Sequence, residues 1–150
     1  MIDPRVIKIV KQRQEVYNLK DKWCVHLRGS DRFKNPEFKK LRFRQLRSKL
    51  MLHGLLGSKC VVITDDPELA KYWRNVDPNS PILSQILDSG PQGLHYADPK
   101  TLGTTKDQLN VNLLIDFFTM ASCKQIFTTS NDSRFARMAD IFRPYLSLML

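Results

Sequence analysis

The stretch "KCVVITDDPELAKYW", Lys59 to Trp73, changes character in its middle. Cys60 to Thr64 is an unbroken apolar, β-branched run, the composition of a short buried strand. Asp65 and Asp66 interrupt it. Pro67 then suits the first turn of a helix running to about Arg74, with Asp65 or Asp66 as its cap. A buried strand that hands over at once to a helix is half of a βαβ unit.

Working outward, the same alternation repeats. "WCVHL", Trp23 to Leu27, is a second short β-type run, followed by the turn-like "RGSD". Pro36 suits the start of a helix continuing to about Leu52, with Phe43, Leu46 and Leu50 at helical spacing and Gly54 and Gly57 beyond its end. Upstream, Val6, Ile9, Val10 and Val16 give Ile2 to Tyr17 an apolar helical side. Downstream, "SPILSQILD" fits either a strand or a short helix. Ser89 to Asp107 is a long loop rich in turn residues. Gln108 to Ser122 is an almost wholly apolar helix, "KQIFTT" a third strand, and "DSRFARMADIF" a helix capped by Asp132 or Ser133. The pattern predicts an α/β domain with a mainly parallel sheet, and with no internal repeat residues 1–150 read as one domain.

The chain has 150 residues, 42% hydrophobic and 26% charged, an ordinary balance for a folded protein, and a formal net charge of +9. That charge implies an anionic partner without choosing among nucleic acid, a membrane face and a phosphorylated small molecule. Cys24, Cys60 and Cys123 show neither CxxC spacing nor a zinc pattern, so they read as buried thiols in a reducing compartment. The opening residues lack the apolar core of a signal peptide, and no run approaches the roughly 20 apolar residues of a membrane span. The expectation is a protein that is cytoplasmic or peripherally membrane-associated, without a transmembrane segment.

In parallel α/β sheets ligands sit at the carboxyl ends of strands, near helix N-termini. Three strand ends therefore become candidates: "HLRGSDR", "TDDPE" and "TTSNDSR". At the first, Arg28 offers a planar fork of donors for a phosphate, Gly29 a close backbone approach, and Ser30 further donors, with Asp31 to orient an arginine. A surface ion pair between Arg28 and Asp31 is the plainer alternative. At the second, Asp65 and Asp66 suit a sugar or base, or simply cap a helix. At the third, Ser133 stands where a helix N-terminus meets the sheet, as an anion site or a cap. Asp116 belongs to a polar stripe with Gln108, Asn112 and Thr119 on the apolar helix. A carboxylate there needs a partner, which is a loop amide, Arg137 or a ligand.

Residues 32–49 hold eight basic side chains against one acid, Glu37. Interleaved Phe33, Phe38 and Phe43 invite a nucleic-acid reading, but their spacing with Leu46 and Leu50 assigns them to the core. The basic face is then solvated or meets an acidic partner, and specific nucleic-acid binding is not expected. His26, His53 and His95 belong to no catalytic or metal motif, and no metal site is expected.

"VHLRGSDR" resembles the first motif of the fucosyltransferase superfamily, which includes α1,6-, nodulation and protein O-fucosyltransferases. "VVITDDPELAKYW" is similar to its second motif and "LLIDFFTMASCKQIFTTSNDSRFARMA" to its third, in the same order, over about Trp23 to Phe142. The resemblance implies a Rossmann-like domain, the C-terminal, donor-binding half of a GT-B glycosyltransferase, with the acceptor domain absent from this chain. It implies a GDP-sugar, above all GDP-fucose, as donor and a glycan, lipid-linked or protein hydroxyl as acceptor. Transfer would be inverting and need neither metal nor cofactor. Arg28 would be the catalytic residue, holding the β-phosphate, with His26 and Asp31 shaping the pocket. Asp65 or Asp66 would lie at the nucleotide, Asp116 would read the guanine, Ser133 would lie near the phosphates, and Arg137 matches an arginine of the third motif. The alternatives are a module that binds a nucleotide sugar without turnover and a basic nucleic-acid-binding domain.

Overall fold

The computed structural model describes residues 2–29, 35–85, 104–130 and 133–150. Three short strands, β1 (Trp23–Leu27), β2 (Cys60–Thr64) and β3 (Gln125–Thr128), form an open parallel sheet in the order β2–β1–β3. Val25 at the centre lies opposite Val62 on one side and Phe127 on the other. Every residue of β2 is buried, as its apolar composition requires. The fold is therefore α/β, as expected.

The helices are α1 (Pro4–Tyr17), α2 (Pro36–Leu52), α3 (Pro67–Val76), α4 (Lys106–Ser122), α5 (Arg134–Phe142) and the short α6 (Leu146–Met149). The first three begin alike. Asp3, Asn35 and Asp66 each accept a hydrogen bond from the amide two residues on, and a proline fills the intervening position. Proline costs nothing there, because its missing N–H belongs to the unsatisfied first turn. The Asp3 cap places the start of α1 at Pro4, two residues after the expected Ile2. Beyond α2, Gly54 and Gly57 adopt φ of 67° and 91°, a left-handed backbone that glycine takes without strain.

"SPILSQILD" forms neither expected element over its described residues. Ile82 makes a single parallel bridge to Val62. The Val62 amide donates to Pro81 O at 2.9 Å, and the Leu83 amide donates to Val62 O at 2.9 Å. Pro81 has no N–H to extend the ladder.

Strand alternation divides the core between the two faces. Val25, Leu27 and Val62 pack with Phe43, Leu46 and Leu50 of α2 and Leu69 and Trp73 of α3. Cys24, Val61 and Ile63 pack with Met120 and Ala121 of α4 and Ala136 and Ala139 of α5. On that second face α1 lies parallel to α4, joined by Val6, Val10, Val111, Ile115 and Phe118. All three cysteines are buried free thiols. Two residues expected on apolar faces are not in the core, and the first, Val16 near the end of α1, is 66% exposed. Phe38 is 46% exposed, because five residues turn it about 140° round the helix from Phe43. Phe33 lies outside the described residues.

The chain leaves β1 for α2 on the first face and leaves β3 for α5 on the second. Adjacent strands whose connections part to opposite faces define a topological switch point, and the crevice between them opens at their carboxyl ends.

Candidate functional site

At the carboxyl ends of β1 and β3 the strand ladder gives way to side-chain hydrogen bonds. The Thr129 amide still donates to His26 O at 3.1 Å. One step further, the Arg28 amide donates to Thr129 Oγ1 at 2.9 Å, and that hydroxyl donates to Arg28 O at 3.0 Å. A single buried hydroxyl thus satisfies both backbone groups of Arg28. Ser130 donates its amide to Thr128 Oγ1 at 3.2 Å, and Ser133 donates its amide to Ser130 O at 3.1 Å. Ser133 then caps α5, accepting from the Ala136 amide at 3.3 Å. The N-terminus of α5 is brought to the crevice in this way, but the buried Ser133 hydroxyl is occupied as a cap.

His26 lies just below, 4% exposed. Its Nδ1 is 3.1 Å from Thr128 Oγ1, and its ring packs against Phe135 at 5.9 Å between centroids. Burial, with the Arg28 charge adding to it, pushes its pKa down to about 3. The ring is therefore neutral at pH 7. It forms a floor to the crevice and carries no charge of its own.

The polar stripe of α4 has the expected register, and its partners are new. Gln108 Nε2 donates to Asn112 Oδ1 at 2.8 Å, and Asn112 Nδ2 donates to Gln85 Oε1 at 3.0 Å. Asp116 and Thr119 both meet Arg13 of α1, at 3.2 Å and 3.0 Å from Nη1, while Arg13 Nη2 donates to Leu83 O at 2.5 Å. The cation facing Asp116 is thus Arg13, and among the described residues neither a loop amide nor Arg137 takes that place. Burial outweighs the Arg13 charge and the hydrogen bonds from Ser84 and Arg13, so the Asp116 pKa rises to about 6, with Asp65 pushing the same way.

The second strand end is a helix start. Asp66, buried, accepts from the amides of Glu68 at 2.8 Å and Leu69 at 3.2 Å. Its other oxygen is 3.0 Å from Lys39 Nζ of α2, which also reaches Glu68 at 3.2 Å. Burial opposes the Lys39 charge, but the two carboxylates outweigh it and raise its pKa. Thr64 ties this end to β1 by donating to Leu27 O at 2.7 Å. Gly29 is required here: a Cβ would fall on the Asp66 carboxylate and 2.7 Å from Leu69 Cδ1. The close approach its glycine permits is to α3.

Of the expected residues, His26, Arg28, Gly29, Asp65, Asp66, Asp116 and Ser133 all stand on the carboxyl side of the sheet. Arg137 is exposed on α5, and Ser30 and Asp31 lie outside the described residues. Asp66 and Ser133 are committed to caps. Arg13, Lys39, Thr64 and Thr129 were not anticipated as individual residues, although Thr64 lies inside "TDDPE", Thr129 inside "TTSNDSR" and Lys39 within the basic run 32–49. A groove of about 740 Å³ lies at the opposite end of α1 and α4, lined by Lys11, Gln14, Ser122, Arg143 and Leu150. It is remote from the crevice. Among the described residues no three His, Cys, Asp or Glu side chains gather as a metal site, and no helix is long and apolar enough to cross a membrane.

The crevice brings the Arg28 backbone and the capped start of α5 together at the ends of β1 and β3, while Asp116 is held on α4 by Arg13. Arg28 and the start of α5 supply donors and positive charge. No protein-family model matches the sequence, and no curated protein matches it.

Proposed function

We propose that the chain is a Rossmann-like donor-binding domain of a GT-B glycosyltransferase that binds a GDP-sugar. The observation that carries the reading is the β1–β3 switch point, where Thr129 fixes the Arg28 backbone. In this reading Arg28 and the α5 N-terminus flank the diphosphate, and Asp116, held at one oxygen by Arg13, accepts from the guanine N–H groups. In the complete reaction an acceptor hydroxyl attacks the anomeric carbon as the bond to the diphosphate oxygen breaks, with inversion. Charge develops on that leaving oxygen, and a preorganised guanidinium stabilises it. The acceptor and the base that takes the hydroxyl proton belong to a second domain.

A specific observation favours the narrower reading, a module that holds the nucleotide without transfer. His26, two residues before Arg28 on β1, is buried and neutral with its Nδ1 engaged by Thr128, so it supplies no proton relay to an acceptor. Calorimetric titration with GDP, GDP-fucose, ADP, UDP and guanosine tests both readings. GDP and GDP-fucose should bind, guanosine more weakly, ADP and UDP weakest, and a chelator should leave GDP affinity unchanged. Equal affinity for GDP and ADP would remove the base-reading role of Asp116. Absence of all nucleotide binding would remove the donor-site reading.

A further inference from the structure

The sheet is closed on one side and open on the other. At the outer edge of β2, the Val62 amide donates to Pro81 O and the Val62 carbonyl accepts from Leu83, so those groups are taken. β3 pairs with β1, and among the described residues no strand or bridge occupies its outer edge. Alternate amides and carbonyls of Gln125–Thr128 therefore face away from the sheet. β3 also lacks the lysine or proline that commonly blunts an edge strand.

Two cations stand over this end of the sheet on the α2 face. Lys49 Nζ lies over the Phe127 ring at 5.4 Å, and Lys124 Nζ lies over the Trp23 ring at 4.2 Å. Both lysines are exposed, and among the described residues neither has a carboxylate partner. Trp23 and Phe127 pack on the same face, and Trp23 lies beside Gln125. Along the strand axis the two rings are thus one alternate-residue step apart, about 7 Å. A strand laid beside β3 would present its side chains on that face at the same step.

We infer that the outer edge of β3 takes an acidic peptide of another protein in extended conformation, adding a fourth strand, with carboxylates at alternate positions meeting Lys124 and Lys49. Main-chain hydrogen bonds supply the attachment and the two ammonium groups select the sequence. The chain's net charge of +9 favours an acidic partner in general. Nucleic acid fits this edge less well, because base stacking needs an open ring. Phe127 is only 7% exposed, with Lys49 and His53 packed against it, and Lys124 covers Trp23.

An array of short synthetic peptides tests this on the full chain, with valine at alternate positions and glutamate, serine or lysine between them. The glutamate peptides should bind, the serine and lysine versions at least roughly tenfold more weakly, and salt should weaken the binding. Methylating one alternate set of peptide nitrogens should abolish binding and methylating the other should spare it, since only one set faces β3. Hydrogen exchange of the Gln125–Thr128 amides should slow when the glutamate peptide is added. Lys49→Gln with Lys124→Gln should lower its affinity at least roughly tenfold at a nearly unchanged melting temperature, because both side chains are exposed. The inference is overturned if no peptide binds, if the lysine peptides bind as well as the glutamate ones, if both methylated sets bind alike, or if the lysine variant binds as well as wild type. Slow exchange of every β3 amide in the free chain would also overturn it, since the edge would then already be covered.

Discussion

The Thr129 hydroxyl accepts from the Arg28 amide at 2.9 Å and donates to the Arg28 carbonyl at 3.0 Å. It replaces, with one side chain, the two ladder bonds that β3 would have made had it continued beside β1. The consequence is that the chain can turn away from the sheet immediately after Arg28 without leaving buried polar groups unpaired.

Thr129→Val keeps the shape and removes the hydroxyl. Urea unfolding should show a loss of about 1–3 kcal/mol, the cost of leaving backbone groups unsatisfied. Thr129→Ser should retain most of the stability. Equal stability of the valine and wild-type proteins would show that water replaces the hydroxyl.

Arg13→Met should cost about 3 kcal/mol, near the lower end for breaking a buried pair, since both partners keep some solvent contact. Adding Asp116→Asn should recover part of that loss, because the stranded charge is then gone. A double variant that loses the simple sum of the two single losses would mean that the pair is not coupled.

The acid range sets two groups against each other. His26 has a folded pKa near 3 and an unfolded value near 6.5. Its contribution is complete above pH 6.5 and is lost as pH falls toward 3. Asp116 has a folded pKa near 6 against 3.8 unfolded, so its contribution is greatest below pH 3.8 and is lost as pH rises through 6. Between pH 4 and 6 the two slopes oppose, each at most about 1.4 kcal/mol per pH unit. Compared with wild type, His26→Gln should gain stability as pH falls from 6 to 4, and Asp116→Asn should lose it. Parallel curves for all three proteins would contradict both shifts.

The elements of the fold were legible because their signals are local. Cys60 to Thr64 could only be a buried strand, and Pro36 and Pro67 announced helix starts beside their caps. The polar stripe of α4 followed from spacing alone. Its partner did not, since Arg13 lies more than 100 residues away and one basic residue among many on α1 carries no mark. Thr129 was equally silent, because a threonine ending a strand looks the same whether or not it bridges to a neighbour. Asp66 and Gly29 were visible as special positions, but their tie to Lys39 and Leu69 depends on how α2 and α3 meet. Phe38 was misassigned because aromatic residues on a helix suggest core, while their angle about the axis decides it.

The central claim is that Arg28 holds a diphosphate at the switch point, and calorimetry of GDP binding to Arg28→Lys and Arg28→Ala tests it most directly. A guanidinium fork grips a phosphate through paired donors that an ammonium cannot reproduce. Both variants should therefore lose about 1.5–3 kcal/mol, or roughly ten- to over a hundredfold in affinity, with little change in melting temperature. Guanosine binding should be nearly unaffected in both. Unchanged GDP affinity together with a clear fall in melting temperature would contradict the account and make Arg28 a residue of the scaffold.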